Sequence, residues 1–150
     1  MSARTQTDPW LAPSELGACA CTQLRRTARK VSAFYDQALE AAGLTVTQYA
    51  VLVNVARARE ISRTALAARL GMDRTTLTRN LIPLEKTQLV VAADGADKRE
   101  RLIRLSPKGR RKLQQSYSLW ADTQKQFADR IGPAALARFR SALSAAEAAA

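Results

Sequence analysis

The chain contains no histidine, which removes the commonest general base and the commonest metal ligand together. Its two cysteines are spaced Cys19-Ala20-Cys21. Without a second cysteine pair they cannot complete a usual zinc site. Neither a glycine-rich phosphate loop nor a Gly-x-Ser-x-Gly elbow is found. No catalytic residue, metal site or cofactor is therefore expected, and the chain does not read as an enzyme. Long apolar runs are missing too. No stretch approaches the ~20 residues that a membrane span requires, and Met1 to Ser14 lacks the apolar centre of a signal peptide. A cytoplasmic protein with no membrane partner is expected.

Negative charge is scarce. Thirteen acidic against twenty-four basic residues leave a net charge of +11, which favours a polyanionic partner such as nucleic acid. A length of 150 residues suits one domain, and 47% hydrophobic composition is enough for one core.

Residues 1–13 are polar, carry Pro9 and a lone Trp10, and read as a flexible N-terminal arm. From Ser14, a cap, a long helix is predicted to about Ala42, with Gly43 as its stop signal. Leu16, Ala20, Leu24, Val31, Tyr35 and Ala38 recur along it at helical spacing. Thr45 and Gln48 form a capping-box pattern for a second helix, with Tyr49, Leu52, Val53 and Ala56 as its inner face. Two short helices follow, Ser62 to Leu70 and Asp73 to Lys86, separated by a turn at Gly71. Leu89 to Ala93 and Arg101 to Leu105 read as strands joined by Asp94-Gly95-Ala96-Asp97-Lys98-Arg99. Ser106-Pro107 then starts a helix carrying Leu113, Tyr117, Trp120, Gln124, Phe127 and Ile131 at alternating steps of four and three. Gly132-Pro133 breaks it and opens a last helix with Leu136, Phe139, Leu143 and Ala146. That seam is either intramolecular core or the interface of a homodimer. Long flanking helices with little core of their own favour the dimer.

The predicted fold is mainly α with a small β-hairpin: a winged helix-turn-helix core flanked by N- and C-terminal dimerisation helices. A helix-turn-helix beside a basic hairpin places one helix in the major groove of double-stranded DNA. On the fourth helix Leu77, Leu81 and Leu84 define the buried side, and Thr75, Arg79, Ile82 and Lys86 lie opposite, with Thr76 and Thr78 on the flanks. Arg74, Thr75, Thr76, Thr78, Arg79 and Lys86 are the candidate DNA contacts on this helix. Arg79 is the first choice, because its fork grips guanine O6 and N7 together. In the hairpin Lys98, Arg99 and Arg101 are the candidates, with Arg99 near the tip suited to a narrow minor groove. An ordinary solvated face is the competing reading for all of these positions. Pro83, inside the helix, deletes one backbone bond and is expected to kink it after the turns that would enter the groove.

At this point the chain resembles the MarR family of winged-helix regulators over roughly Leu16 to Ala146. The resemblance rests on Gly43-Leu44-Thr45-Val46-Thr47-Gln48-Tyr49, on Leu66 through Arg79, on Leu84-Glu85 and Leu89-Val90, and on Asp97-Lys98-Arg99 with Leu105-Ser106-Pro107-Lys108-Gly109. In the family's Asp-x-Arg-Asp-x-Arg wing pattern, Asp94, Asp97 and Arg99 match, and Ala96 replaces the first arginine. The resemblance implies a single domain over 14–150, with 14–42 and 107–150 as dimerisation helices and 45–105 as the DNA-binding lobe. It also implies a homodimeric repressor on a pseudo-palindromic operator, released by a small ligand or by oxidation.

Two signals compete. The family's usual effectors are phenolic or aromatic acids held between the dimer helices and the DNA-binding lobe, and Arg25, Arg29, Tyr35 and Tyr49 are the candidate residues for such an anion. Core packing is the alternative for both tyrosines. Cys19 and Cys21 are the redox candidates. Cys21 lies fourteen residues before Tyr35, a spacing similar to the hydroperoxide-sensing branch, although Arg25 and Val46 stand where that branch would have further tyrosines. A thiol near a helix start and close to arginines has a lowered pKa, whereas buried free cysteines are common core residues. Outside the regulator reading, a nonspecific architectural DNA-binding protein and an interaction module for an acidic partner would show the same charge.

Overall fold

The computed structural model describes residues 19–93 and 102–150. Ser14, the arm 1–13, and Lys98, Arg99 and Arg101 of the hairpin lie outside the described residues. The chain divides into two compact units, one ending at Phe34 and one beginning at Tyr35. The boundary falls inside the first helix, α1 (Ala20–Leu39). Within the smaller unit nearly every described side chain is exposed, Leu24 at 42% included.

The helix ends show why the chain turns where it does. A 3-10 turn (Glu40–Ala42) extends α1, and Gly43 then takes a left-handed φ of 66°. The next amide, of Leu44, reaches back to the Leu39 carbonyl at 3.3 Å. The closure recurs where α3 (Arg63–Leu70) ends at Gly71, with Met72 N–H bonded to the Ala67 carbonyl at 2.9 Å. It recurs again after α4 (Arg74–Lys86), where Leu89 N–H bonds to the Leu84 carbonyl at 2.8 Å. In each case the left-handed residue satisfies helix-end carbonyls, and the apolar residue after it joins or packs against the core. The third closure uses Gln88, at φ 58°, instead of glycine.

The second helix, α2 (Val46–Ala58), begins with the reciprocal cap legible in the sequence. Gln48 N–H donates to Thr45 Oγ1 at 3.2 Å, and Thr45 N–H donates to Gln48 Oε1 at 3.1 Å. Asp36 Oδ1 accepts the Val46 N–H at 2.6 Å. The expectation of a single inner face needs correction. Val51, Leu52 and Val55 are fully buried and Tyr49 nearly so, while Val53 and Ala56 are only half-buried. The reason is that α2 packs against α3, α4 and the sheet as well as the long helix α5 (Pro107–Ile131). A helix covered on several sides has no single apolar stripe.

The sheet has three strands where the sequence suggested two. Besides β2 (Val90–Ala93) and β3 (Leu102–Leu105) there is β1 (Glu60–Ser62), and the antiparallel order is β1-β3-β2. Ile61 and Ala92 flank Ile103 from either side. With one apolar residue in three, β1 offers no alternation to read and is a strand because β3 lies beside it. Leu89, expected to open β2, is drawn out of the strand by its amide bond to Leu84.

Pro83 lies within the last turn of α4, which continues to Lys86 without a break. The Pro83 carbonyl accepts both Thr87 N–H at 3.1 Å and Thr87 Oγ1 at 2.8 Å. On α5 the buried positions are Gly109, Ser116 and Thr123, seven apart and small. The predicted seam is not buried: Tyr117 is 60% exposed, and Leu113, Trp120, Phe127 and Ile131 are half-buried. The last helix, α6 (Pro133–Ala149), has no buried residue. Among the described residues no single helix is long and apolar enough to cross a membrane.

Gln88→Gly should raise stability by about 0.5–1 kcal/mol, because glycine adopts the left-handed conformation without the steric cost borne by glutamine, less its own entropy. Urea unfolding measures this, with the midpoint moving up at unchanged slope.

Candidate nucleic-acid interface

The helix-turn-helix is assembled from local signals. Ser62 caps α3 by accepting the Ala65 N–H at 3.2 Å. Asp73 caps α4, its Oδ1 accepting the Thr76 N–H at 2.8 Å and its Oδ2 the Thr76 hydroxyl at 2.7 Å. These bonds, the Thr76 hydroxyl first, hold the Asp73 carboxyl below its ordinary pKa. The cap is therefore complete at neutral pH and is lost only as pH falls through that lowered value. It also sets a negative charge on the helix N-terminus, so phosphate attraction along α4 falls to the basic side chains. An ion pair at 2.6 Å between Arg63 and Glu85 joins the start of α3 to the last turn of α4. Being exposed, it adds little stability, but it restrains how the two helices cross.

Leu77, Leu81 and Leu84 are buried at 2% exposure or less, and Arg74, Thr75, Arg79, Ile82 and Lys86 are exposed. This is the division that helical geometry predicted. Thr76 and Thr78 are half-buried, and both hydroxyl protons are already used: Thr76 donates to Asp73, and Thr78 donates to the Arg74 carbonyl at 2.8 Å. What these two threonines present outward is methyl surface and lone pairs. Ile82, 43% exposed in the middle of this polar face, was not among the candidates. An apolar side chain left in water on such a face suits a thymine methyl. In the hairpin, β3 exposes Arg104.

A second feature lies between α2 and α5. A cavity of 510 Å³ is lined by Tyr49, Val53, Asn54, Arg57, Leu113, Tyr117 and Trp120, among others. Tyr49 stacks on Trp120 with ring centroids 5.8 Å apart and planes 19° apart, and Tyr117 meets the same indole at 6.1 Å. Burial, then the neighbouring Tyr117, pushes the Tyr49 hydroxyl above its ordinary pKa, so it is neutral at physiological pH. The cation in this wall is Arg57, which sequence reasoning missed because α2 carried no motif there. Tyr35 is not in the lining. Its hydroxyl donates to Gln124 Oε1 at 3.0 Å, and its ring lies 6.2 Å from Phe127. Burial likewise raises its pKa. Arg25 and Arg29 are exposed in the smaller unit and are not among the lining residues.

Both cysteines are free and exposed. Cys19 immediately precedes α1, its carbonyl accepting Gln23 N–H at 3.1 Å. Hydrogen bonds from Thr22, the backbone N–H first and then the hydroxyl, hold its thiol below the ordinary value. The sulfur thus takes the place of an N-cap side chain. Among the described residues no group of three ligating side chains could hold a metal ion.

Residues 42–100 match the pattern of the MarR family. Among solved structures, the chain is similar to the Mycobacterium tuberculosis transcriptional regulator MosR in complex with DNA, with 39% identity and a TM-score of 0.73, over 87% of this chain and 98% of that one. It is also similar to the transcriptional repressor CouR bound to a 23-mer duplex, at 24% identity and TM-score 0.79, over 89% and 95% of the two chains. Escherichia coli MarR, as a cysteine-to-serine mutant with operator DNA, shares the fold at 22% identity and TM-score 0.76, over 87% and 92%. Among curated protein sequences none matches the chain.

In a Cys21→Ala background, Thr22→Val should slow alkylation of Cys19 by iodoacetamide at pH 7 and move the rate–pH midpoint upward, because the lost hydroxyl no longer stabilises the thiolate. An unmoved midpoint would show that the Thr22 hydroxyl does not tune this thiol.

Proposed function

Because the chain belongs to the MarR family of DNA-binding transcriptional regulators, whose members are not enzymes, we propose that it is a homodimeric repressor that reads a pseudo-palindromic operator with α4. The observation that carries this reading is the exposed face of α4. Arg74, Thr75, Arg79, Ile82 and Lys86 stand clear of solvent-excluding contacts on a capped helix whose other side is anchored by three leucines. A rigid helix with a free basic and apolar face is what major-groove readout requires. MosR and CouR, with the same fold, have been seen on DNA. Lys98, Arg99 and Arg101 would extend the contact through the hairpin. The surplus of positive charge supplies affinity that does not depend on sequence. Such a protein works beside DNA, in the cytoplasm.

Dimerisation is supported by what α5 and α6 leave open. Tyr117 and Leu143 are exposed, and no residue of α6 is buried. Two long helices with half-covered apolar sides acquire a core when a second copy supplies theirs. The domain division is read accordingly, with 14–42 and 107–150 joining the subunits and 45–105 meeting DNA.

The release signal that the geometry favours is an aromatic carboxylic acid in the cavity between α2 and α5. Its ring would stack with Tyr49 and Trp120, and its carboxylate would meet Arg57. Oxidation is a second reading, favoured by the exposed thiol of Cys19, which Thr22 holds below its ordinary pKa. A hydroperoxide would convert it to a sulfenic acid, and Cys21 is the near thiol. A disulfide between residues two apart must distort the first turn of α1, since Cβ vectors at that spacing diverge on a helix.

The test is binding to a duplex from upstream of the protein's own gene and to a scrambled duplex of equal length at ~0.15 M salt, with reduced, peroxide-treated and salicylate-containing samples. A preference of about a thousandfold or more is expected of a regulator, with one treatment closing it. Equal affinity for both duplexes would leave the architectural reading. Arg79→Ala should cost about 1–3 kcal/mol on the preferred duplex and relax discrimination at one base pair; equal losses on both duplexes would reduce Arg79 to a phosphate contact.

A further inference from the structure

Beyond the last residue of α4, three successive carbonyls are held by the start of α5. Lys108 Nζ donates to the Thr87 carbonyl at 2.8 Å, Ser106 Oγ to the Gln88 carbonyl at 2.6 Å, and Ser106 N–H to the Leu89 carbonyl at 3.1 Å. The Ser106 hydroxyl does two things at once, because it also accepts the Gly109 N–H at 2.9 Å as the cap of α5. A hydroxyl has one proton and lone pairs to spare, so one side chain closes one helix and grips the end of another. The approach is tight: a Cβ on Gly109 would collide with the Leu89 carbonyl. Gln88 keeps its left-handed conformation at the centre of this junction.

None of these bonds is needed to form α4, which has its own cap, its leucine face and its own C-terminal closure. Their effect is on direction. They fix the far end of α4 to the most extended element of the larger unit at three points within three residues. We infer that Ser106 and Lys108 are positioning residues for DNA recognition: they touch no base, and they set the angle at which α4 presents Arg74, Thr75 and Arg79. The inference rests on the reading of α4 as the recognition helix. It separates Lys108 from the general basic surface, since its ammonium is turned to a backbone carbonyl.

The test uses the full chain and a duplex selected by the wild-type protein from a random pool, beside a scrambled duplex. Ser106→Asp keeps an acceptor for the Gly109 N–H but has no proton for Gln88. Lys108→Met keeps the stem and loses the ammonium. Ser106→Thr and Lys108→Arg return the donors. Arg79→Ala is measured alongside, and circular dichroism with thermal melting establishes that each variant is folded at the assay temperature. Each disrupting variant is expected to lose about three- to tenfold of the selected-over-scrambled preference, the scale of one hydrogen bond. For Lys108→Met the salt dependence on the scrambled duplex should be unchanged, and the donor-restoring variants should recover most of the preference. Equal losses on both duplexes with a shallower salt dependence would make Lys108 a phosphate contact and overturn the inference. Lower melting temperatures with an unchanged preference would overturn it too, leaving a structural junction only. If Arg79→Ala lowers the preference and the junction variants do not, positioning alone has failed. If none of the three moves it, the recognition-helix reading has failed and the inference with it.

Discussion

The larger unit depends on the burial of α2. Val51, Leu52 and Val55 are fully withdrawn from water, and each such side chain contributes on the order of 1.5–3 kcal/mol. The helices that would meet DNA cannot supply this for themselves. At eight and thirteen residues, α3 and α4 are at or below the length at which isolated helices are even marginal in water. They persist because Leu66, Leu77, Leu81 and Leu84 close over α2, and the sheet closes from another side through Ile61 and Ile103. The persistence of both helices is thus inherited from one central helix, while their angle is also held by the Arg63–Glu85 pair and by the start of α5. The start of α2 is itself fixed twice, by the Thr45–Gln48 cap and by the Asp36 carboxylate.

Structure determined within a few residues was legible in the amino-acid order. Thr45, Ser62, Asp73 and Ser106 each cap the helix they precede, Gly43 and Gly71 end the helices before them, and the leucine spacing of α4 separates buried from exposed sides. Each depends on bonds that span three to five residues, so the neighbours in sequence are the neighbours in space. What was not legible depends on partners far along the chain. β1 exists because of β3, more than forty positions on, and Leu89 leaves β2 because of the helix end before it. Val51 and Val55 are buried by elements on sides of α2 that periodicity does not distinguish. The candidate site divides in the same manner. The face of α4 followed from spacing alone. The grouping of Tyr49 with Arg57, Tyr117 and Trp120 required α2 and α5 to be laid together, and Tyr35 turned out to bond Gln124 apart from that group.

The arrangement separates two physical tasks. Long-range attraction comes from a net charge of +11 spread over the chain and needs no particular geometry. Discrimination needs a few side chains held at fixed angles, and there the structure is restrained: a carboxylate cap, a leucine face, the Arg63–Glu85 pair and the grip of Ser106 and Lys108. The absence of histidine has its place here. Between pH 5 and 8 no side chain with an ordinary pKa changes charge, so the electrostatic attraction is steady across that range.

The length of α5 converts angle into distance. Its 25 residues extend about 37 Å at 1.5 Å per residue, so a tilt of about 3° about the Ser106 end carries the other end through about 2 Å. The hydrogen bonds at the near end would scarcely register so small a rotation. At the far end it exceeds half the ~3.4 Å step between stacked base pairs. In the proposed two-fold assembly through α5 and α6 the same leverage would act in reverse: a shift at the subunit contact too small to disturb packing would alter the spacing of the two reading heads, and with it their match to successive turns of the duplex.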